Sequence, residues 1–392
     1  MNLLEFMEQN NLYITDYSKT TIIDVVRTIY NHCGTNFAYN KKMEDLKTLI
    51  KSKKHILLIM SDGMGSNLID TLPDNSILKE NKKMDIQTVN PSTTGCAIPS
   101  IVTGEYPEKH GMLGWFSYYR TKNIEYLPVL FKERKTNKDL QDLDISLGEI
   151  YRTTSVLNKL ERRTYAMFPN EMKDSAFSTF VLNKGERLGY ETIEEAFDIF
   201  ENIRKNENDE TFTYMYLPQV DSNSHKFGVF SNEVYNVINK IEKQLNKINF
   251  DDELEIIIIA DHGQTDVKKE GYRLNFDKYQ EFFYALPGID SGTATYYIKE
   301  GKEKIFEETF KNEFAEKMFL FKTDELINNN VFGPSGLSDY MKSNLGEYIS
   351  ICRKGEYFIN SVEEDELLNN LKGTHSGFSK DEIITPLIVL NN

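Results

Sequence analysis

Four consecutive isoleucines, Ile256 to Ile259, followed at once by "ADHG", constrain this chain more than any other stretch. A short β-branched run without polar alternation is the pattern of a strand buried on both faces, at the centre of a mainly parallel sheet covered by helices. Such strands open at their carboxyl ends into the crevice where α/β sheets bind ligands. Asp261 and His262 stand at that end. Taken alone they are also ordinary turn residues, so their meaning depends on what stands at the other strand ends.

The other buried-strand candidates are "HILLIM" (55–60), "TFTYMYL" (211–217) and "IITPLIVL" (383–390), with "DIQTV" (85–89) beside them. Between them run helices, the clearest beginning at Ser231. There Val234, Val237, Ile238, Ile241, Leu245 and Ile248 keep the 3.6-residue period behind a serine N-cap. Strand and helix in alternation predict an α/β fold with a mainly parallel central sheet flanked by helices. Residues 268–372 read differently: "TATYYI", "KIFEETFKNEFAEKMF", "EYISIC" and "EYFIN" suggest short alternating strands and one helix. The expected organisation is a catalytic core of residues 1–267 and 373–392 carrying a small inserted α+β lid over 268–372.

Each strand end carries chemistry. "SDGMG" supplies Asp62, "DSNSH" supplies Asp221 and His225 four residues apart on one face of a helical turn, "ADHG" supplies Asp261 and His262, and "GTHSG" supplies His375. The chain has only six histidines, and three of them stand here beside three aspartates. Carboxylate oxygen with imidazole nitrogen suits zinc, or manganese, better than calcium or magnesium. Three of each make two sites with three protein ligands apiece, so two divalent cations are expected.

A net charge of −15, a pI near 5.0 and the lack of a basic stripe in the sequence argue against a duplex nucleic-acid surface. An anionic small molecule remains suitable where metals supply positive charge. No run approaches a membrane span, and Glu5 and Glu8 interrupt the N-terminal apolar stretch, unlike a secretory leader. Cys33, Cys96 and Cys352 are odd in number and widely spaced, which fits a reducing compartment. The cytoplasm is the expected location, and oligomeric state leaves no mark in the sequence.

The hydroxyl-rich segment "VNPSTTGCAIPSIVTGEYPEKHG" follows the strand at 85–89. Pro99 is tolerated in the first turn of a helix, so a helix is expected to start close to it, with Thr94 and Gly95 at or just before its N-terminus. Backbone N–H groups and the dipole there favour an anion. Thr93 or Thr94 serves equally as a simple N-cap, unless the metal cluster holds one hydroxyl as a nucleophile.

Together "SDGMG", "STTGCAIPSIVTGEYPEKHGMLGW", "YLPQVDSNSHKFG", "IIIIADHG" and "GTHSG" resemble the ordered motifs of the type I phosphodiesterase/nucleotide pyrophosphatase family, within the alkaline phosphatase superfamily. The resemblance implies an alkaline phosphatase-like fold and a di-zinc site. It assigns Asp221, His225 and His375 to one metal, and Asp62, Asp261, His262 and the nucleophile Thr94 to the other. Thr94 is preferred to Thr93 because family members place the nucleophile nine residues before the threonine of a "TG" pair, here Thr103. Gly95 and Trp115 are the candidate substrate contacts. Trp115, Phe116, Tyr118 and Tyr119 could stack a base, although aromatics are more often core.

Three positions depart from the family pattern. Ser224 precedes His225 and Ser376 follows His375 where members carry glycine, and Ala97 stands where many nucleotide pyrophosphatases place an asparagine on a phosphate oxygen. A sulfatase is disfavoured because Ile98 and Ser100 replace the proline and arginine expected after Cys96, and no arginine lies between Asp62 and Trp115 to meet a phosphomonoester dianion. His32, His55 and His110 read as structural.

The expected function is a metal-dependent phosphodiesterase or nucleotide pyrophosphatase. It would cleave phosphodiester or pyrophosphate bonds of nucleotide-like small molecules through a phosphothreonine intermediate. The alternatives are hydrolysis of a phosphonate or phosphomonoester on the same metals, and a non-catalytic binding protein of this fold.

Overall fold

The computed structural model describes residues 2–268, 271–359 and 369–391. In chain order its main strands are β1 (His55–Ser61), β2 (Lys82–Gln87), β3 (Arg163–Pro169), β4 (Glu186–Tyr190), β5 (Thr211–Leu217), β6 (Leu254–Ile259), β7 (Phe283–Ile289), β8 (Thr293–Ile298), β9 (Met318–Lys322), β10 (Tyr348–Cys352) and β11 (Ile384–Leu390). Seven form the central sheet in the order β2-β11-β6-β1-β5-β3-β4. β6, β1, β5, β3 and β4 are mutually parallel, and β11 runs antiparallel to both of its neighbours.

The isoleucine run shows why such a strand has no polar alternation. Ile257 and Ile259 pack into one apolar core with Ile56, Leu58 and Met60, while Ile256 and Ile258 pack into a second with Leu57. Helices α1 (Ile22–His32) and α2 (Thr94–Thr103) cover the first face. Helix α3 (Ile193–Asn206) covers the second; helix α4 (Gln219–Phe227) follows β5, and α5 (Asn232–Leu245) packs beside α3. Each fully buried isoleucine contributes roughly 1.5–3 kcal/mol by leaving water, and a polar residue on either face would forfeit that.

Helix α5 begins behind the Ser231 cap, whose hydroxyl accepts the Val234 N–H at 3.4 Å. The expected strand at 85–89 lies earlier, at 82–87, so Thr88 and Val89 already belong to the loop leading to α2. Helix α2 starts at Thr94, where the helix N-terminus was expected, but the place of Pro99 differs. Pro99 is its sixth residue, not a first-turn one. Proline there removes one intrahelical bond, and the single donor lost belongs to a helix held by burial of nine of its ten residues.

Within 268–372, β7, β8, β10 and β9 form a four-stranded antiparallel sheet in that order, backed by α6 (Glu303–Phe314). Asn360 of the expected "EYFIN" strand lies outside the described residues; Phe358 and Ile359 pair with Tyr272 and Arg273. Thr265 and Asp266 pair with Thr374 and Gly373, so the two ends of this segment leave the core side by side. A small three-stranded sheet from Ser117 to Glu133 was not anticipated; it joins the segment through the Phe116–Ile289 bridge. Among the described residues no helix is long and apolar enough to cross a membrane, and Cys33, Cys96 and Cys352 are buried and unbridged.

Candidate active site

The carboxyl ends of β1, β5 and β6 carry Asp62, the loop into α4, and Asp261 with His262. Gly63 makes the turn after Asp62 with φ +72°, and a Cβ there would lie 3.1 Å from the Asp221 Cα, so the position demands glycine twice over. Helix α4 places Asp221 and His225 on one face, 3.3 Å apart between Oδ1 and Nε2. The pairing of Thr265 with Thr374 carries His375 over the His262 ring, 3.9 Å between centroids.

Backbone carbonyls fix all three imidazoles. His225 Nδ1 meets the Gly373 carbonyl at 2.9 Å, His262 Nδ1 that of Gly263 at 3.0 Å, and His375 Nδ1 that of Ser92 at 3.2 Å. A carbonyl only accepts, so each Nδ1 carries the proton and each Nε2 presents a lone pair inward. Inward they meet more acceptors. His262 Nε2 is 3.4 Å from Asp62 Oδ1 and 3.4 Å from Asp261 Oδ2, and His375 Nε2 is 3.7 Å from Asp221 Oδ1. Asp261 Oδ2 is buried without a hydrogen-bond partner. A buried acceptor facing acceptors is costly until a cation or proton sits between them.

The spacing fits a metal. Donors about 2.0–2.1 Å from a tetrahedral cation lie about 3.3–3.4 Å from one another, and the separations here run from 3.3 to 3.7 Å. Two groups of donors converge, Asp221 with His225 and His375, and Asp62 with Asp221 and His262. Asp221 thus stands between the groups rather than in one alone, and Asp261 joins the second through His262.

The electrostatics agree with an anionic cluster. Burial, then the charges of Asp261 and Asp221, push the Asp62 carboxyl far up. Burial also raises Asp261, against the pull of His262. Burial opposes charge on Asp221, yet His225 beside it holds its carboxyl below the usual range, while Asp221 outweighs burial at His225 and lifts that imidazole to about 9.

Thr93 and Thr94 point to different neighbours. Thr94, first residue of α2, brings Oγ1 to 3.1 Å from His262 Nε2 and 3.4 Å from both oxygens of Asp62. Thr93 donates its hydroxyl to Asp290 instead. Gly95 lies against Gly114, where a Cβ would come within 2.7 Å of backbone, so helix α2 and the turn before Trp115 touch. Trp115 is half-buried beside that contact. The Phe116 ring is covered by the Arg134 guanidinium at 4.2 Å, and Tyr118 and Tyr119 are core.

Residues 56–376 match the sequence profile of the type I phosphodiesterase/nucleotide pyrophosphatase family. The chain belongs to this family. Among its relatives is the venom phosphodiesterase of Macrovipera lebetinus, 24% identical over 249 residues, which are 59% of this chain and 28% of that protein. A second, venom phosphodiesterase CdcPDE of Crotalus durissus collilineatus, is 23% identical over 52% of this chain and 25% of its own length. The chain therefore spans about a quarter of these relatives. The fold is shared with murine ectonucleotide pyrophosphatase/phosphodiesterase 5 (TM-score 0.61, 17% identity, 86% of this chain and 88% of that one). It is shared too with phosphonoacetate hydrolase of Sinorhizobium meliloti 1021, solved with phosphonoacetate (TM-score 0.59, 14% identity, 85% and 89%).

The type I phosphodiesterase/nucleotide pyrophosphatase family is metal-dependent, and the two donor groups could hold metal ions. Two of the departures from its motifs have local causes. Ser376 adopts φ +69°, the left-handed region where glycine is at ease, and is held there by donation from Gly292 N–H to its Oγ at 2.6 Å. Ser224 is fully buried and its hydroxyl is satisfied within α4, donating to the Val220 carbonyl at 2.8 Å.

Three residues of the site were missed in the sequence. Tyr216 donates its hydroxyl to Asp62 Oδ2 at 2.6 Å, yet reads as one more apolar residue of β5. Gln264 donates to Asp221 Oδ1, and its place directly after "DHG" was the available signal. Asp290 comes from the inserted segment, where its "GIDSG" context reads as a loop. The structural reading of the other histidines agrees with their surroundings: His110 is bonded to Ser100 and Met112, His55 to Thr211, and His32 to the Ile50 carbonyl.

Proposed function

We propose that this protein is a two-metal phosphodiesterase acting on nucleotide-like diesters or pyrophosphates, with Thr94 as nucleophile. The observation that carries the reading is the ring of bare acceptors. Three inward Nε2 atoms converge with the carboxylates of Asp62, Asp221 and Asp261, a donor set suited to zinc or manganese, and the Thr94 hydroxyl joins it at Asp62 and His262. Asp221, His225 and His375 would hold one ion, and Asp62, Asp261, His262 and Thr94 the other. Bound there, divalent cations would lower the pKa of coordinated hydroxyls and neutralise charge developing on phosphoryl oxygens.

Thr94 Oγ1 would form a bond to phosphorus as the bond to the leaving alcohol or phosphate breaks, giving phosphothreonine. Water would then cleave that ester and restore the hydroxyl. The N-terminus of α2 would present backbone N–H groups to the phosphoryl oxygens, with Gly95 and Trp115 flanking that entry. An inactive threonine-to-alanine variant of murine ectonucleotide pyrophosphatase/phosphodiesterase 5 has been solved with AMP, which supports a nucleotide-sized ligand and a threonine-dependent reaction. Residues 268–372 would act as the lid of the 1–267 and 373–392 core.

A diester carries one negative charge and a monoester dianion two, and the site offers little to hold the second. Ala97 donates nothing. Among the insertion's cations, Lys302 pairs with Glu281, Lys304 with Glu308 and Lys354 with Asp381, while Arg353 lies over the Phe319 ring. The diester kcat/KM should exceed that of the matching aryl monoester by at least about tenfold, about 1.4 kcal/mol of transition-state discrimination. Assaying zinc- and manganese-loaded protein on both esters, with phosphonoacetate beside them, tests this. A faster monoester or phosphonate would overturn it.

A further inference from the structure

We propose that Asp290 is a specificity-determining residue: the insertion delivers its carboxylate to the side chain next to Thr94, and there it selects against phosphoryl groups carrying a second negative charge. The inference rests on the two-metal phosphodiesterase reading and names the residue behind its diester preference.

The tip between β7 and β8 is built to hold this group. Ile289 has φ +73°, a conformation that a β-branched residue adopts only where its surroundings impose it. A Cβ on Gly114 would lie 2.6 Å from the Ile289 carbonyl oxygen, and Gly114 in turn presses on Gly95. On its other side the tip is locked to the His375 loop. Gly292 N–H donates to Ser376 Oγ at 2.6 Å, and Thr293 Oγ1 donates to the Ser376 carbonyl at 2.6 Å. Asp290 therefore does not swing with a mobile hairpin. Its Oδ2 accepts the Thr93 hydroxyl and its Oδ1 accepts the Ser291 N–H at 2.7 Å; both donors favour the ionised carboxylate, against burial, which pushes the carboxyl up.

Charge counting gives the consequence. Two divalent cations bring four positive charges, Asp62, Asp221 and Asp261 remove three, and a deprotonated Thr94 removes the last. Asp290 is a further carboxylate within electrostatic reach of His225 and His262, yet it ligates neither donor group. Ionised, as at the pH of the test below, it adds a negative charge beside the centre before substrate arrives. A monoanionic diester meets that repulsion once and a dianionic monoester twice.

The test uses the full chain carrying Thr94→Ala, loaded with zinc, so that ligands bind without turnover. Methyl phenyl phosphate (monoanion) and phenyl phosphate (dianion) are titrated calorimetrically at about pH 8, and bound metal is counted by elemental analysis. Adding Asp290→Asn should tighten phenyl phosphate by at least about tenfold relative to methyl phenyl phosphate, with metal content unchanged. Asp290→Ser removes the same charge with a smaller side chain and should move the ratio the same way; it decides the matter if the asparagine variant does not fold. An unmoved ratio, an equal change for both ligands, or loss of metal would overturn the role of Asp290. Binding of neither ligand to the zinc-loaded Thr94→Ala protein would contradict the phosphodiesterase reading itself, and this inference with it.

Discussion

The carboxyl edge of the parallel sheet and the tip of the inserted sheet contribute to the same site by opposite means. At the sheet edge, β1, β5 and β6 are buried along nearly their whole length, and the acids and histidines follow directly where burial ends. Their positions are consequences of strand registry: His55 to Ser61 align with Thr211 to Leu217, so Asp62 and the start of α4 emerge together. At the inserted tip, one carboxylate is held by strain at Ile289 and by hydrogen bonds to the His375 loop. A sheet edge can carry ligands at little conformational cost, whereas an added group from elsewhere in the chain needs a clamp.

The largest effect is expected at Thr94. If the sheet edge and α2 supply the reacting group, Thr94→Ala should fold, keep most of its metal and lose aryl diester turnover by about a thousandfold or more. Thr93→Ala should be far milder, since its hydroxyl faces Asp290. Full activity in Thr94→Ala would mean that water attacks the phosphorus directly.

A smaller effect is expected one layer out. Tyr216→Phe removes the hydroxyl that orients Asp62, and such supports commonly change metal affinity by about 10–100-fold. Chelator competition measures it, and unchanged zinc affinity would show that Asp62 needs no orienting partner.

The smallest effect separates site histidines from structural ones. Burial pushes His110 down to about 3. Its Nδ1 accepts the Met112 N–H at 3.2 Å, so its Nε2–H faces Ser100 Oγ at 2.7 Å, and the neutral ring is fully used. The unfolded state takes up a proton near about pH 6.5 and the folded state only near 3. The neutral form's stabilisation is therefore complete above about 6.5 and is lost progressively as pH falls towards 3, by about 2 kcal/mol between pH 7 and 5. Denaturant unfolding of the wild type and His110→Gln across that window should give a shallower slope for the variant. Parallel slopes would contradict the assignment.

The sheet-edge residues were legible because periodicity and residue type speak together there: a β-branched run without polar alternation marks a buried strand, and acids and histidines recurring at four such ends mark the crevice. The partners were not legible. Tyr216 alternates within β5 like a core aromatic, and Asp290 reaches Thr93 across 197 positions of sequence through a turn that no local pattern specifies. The start of α2 at Thr94 was legible, but the first-turn place of Pro99 was not, because its missing N–H lies in a helix whose stability comes from burial rather than from a complete hydrogen-bond ladder.

Four strand-end motifs meet in one cluster whose two donor groups share Asp221, and the two-metal reading requires that it hold two cations. Elemental analysis of protein reconstituted with zinc and freed of excess metal tests it most directly. The account predicts close to two ions per chain for the wild type and at most one for Asp221→Ala. A wild type that holds none after reconstitution, or an Asp221→Ala variant that still holds two, would contradict it.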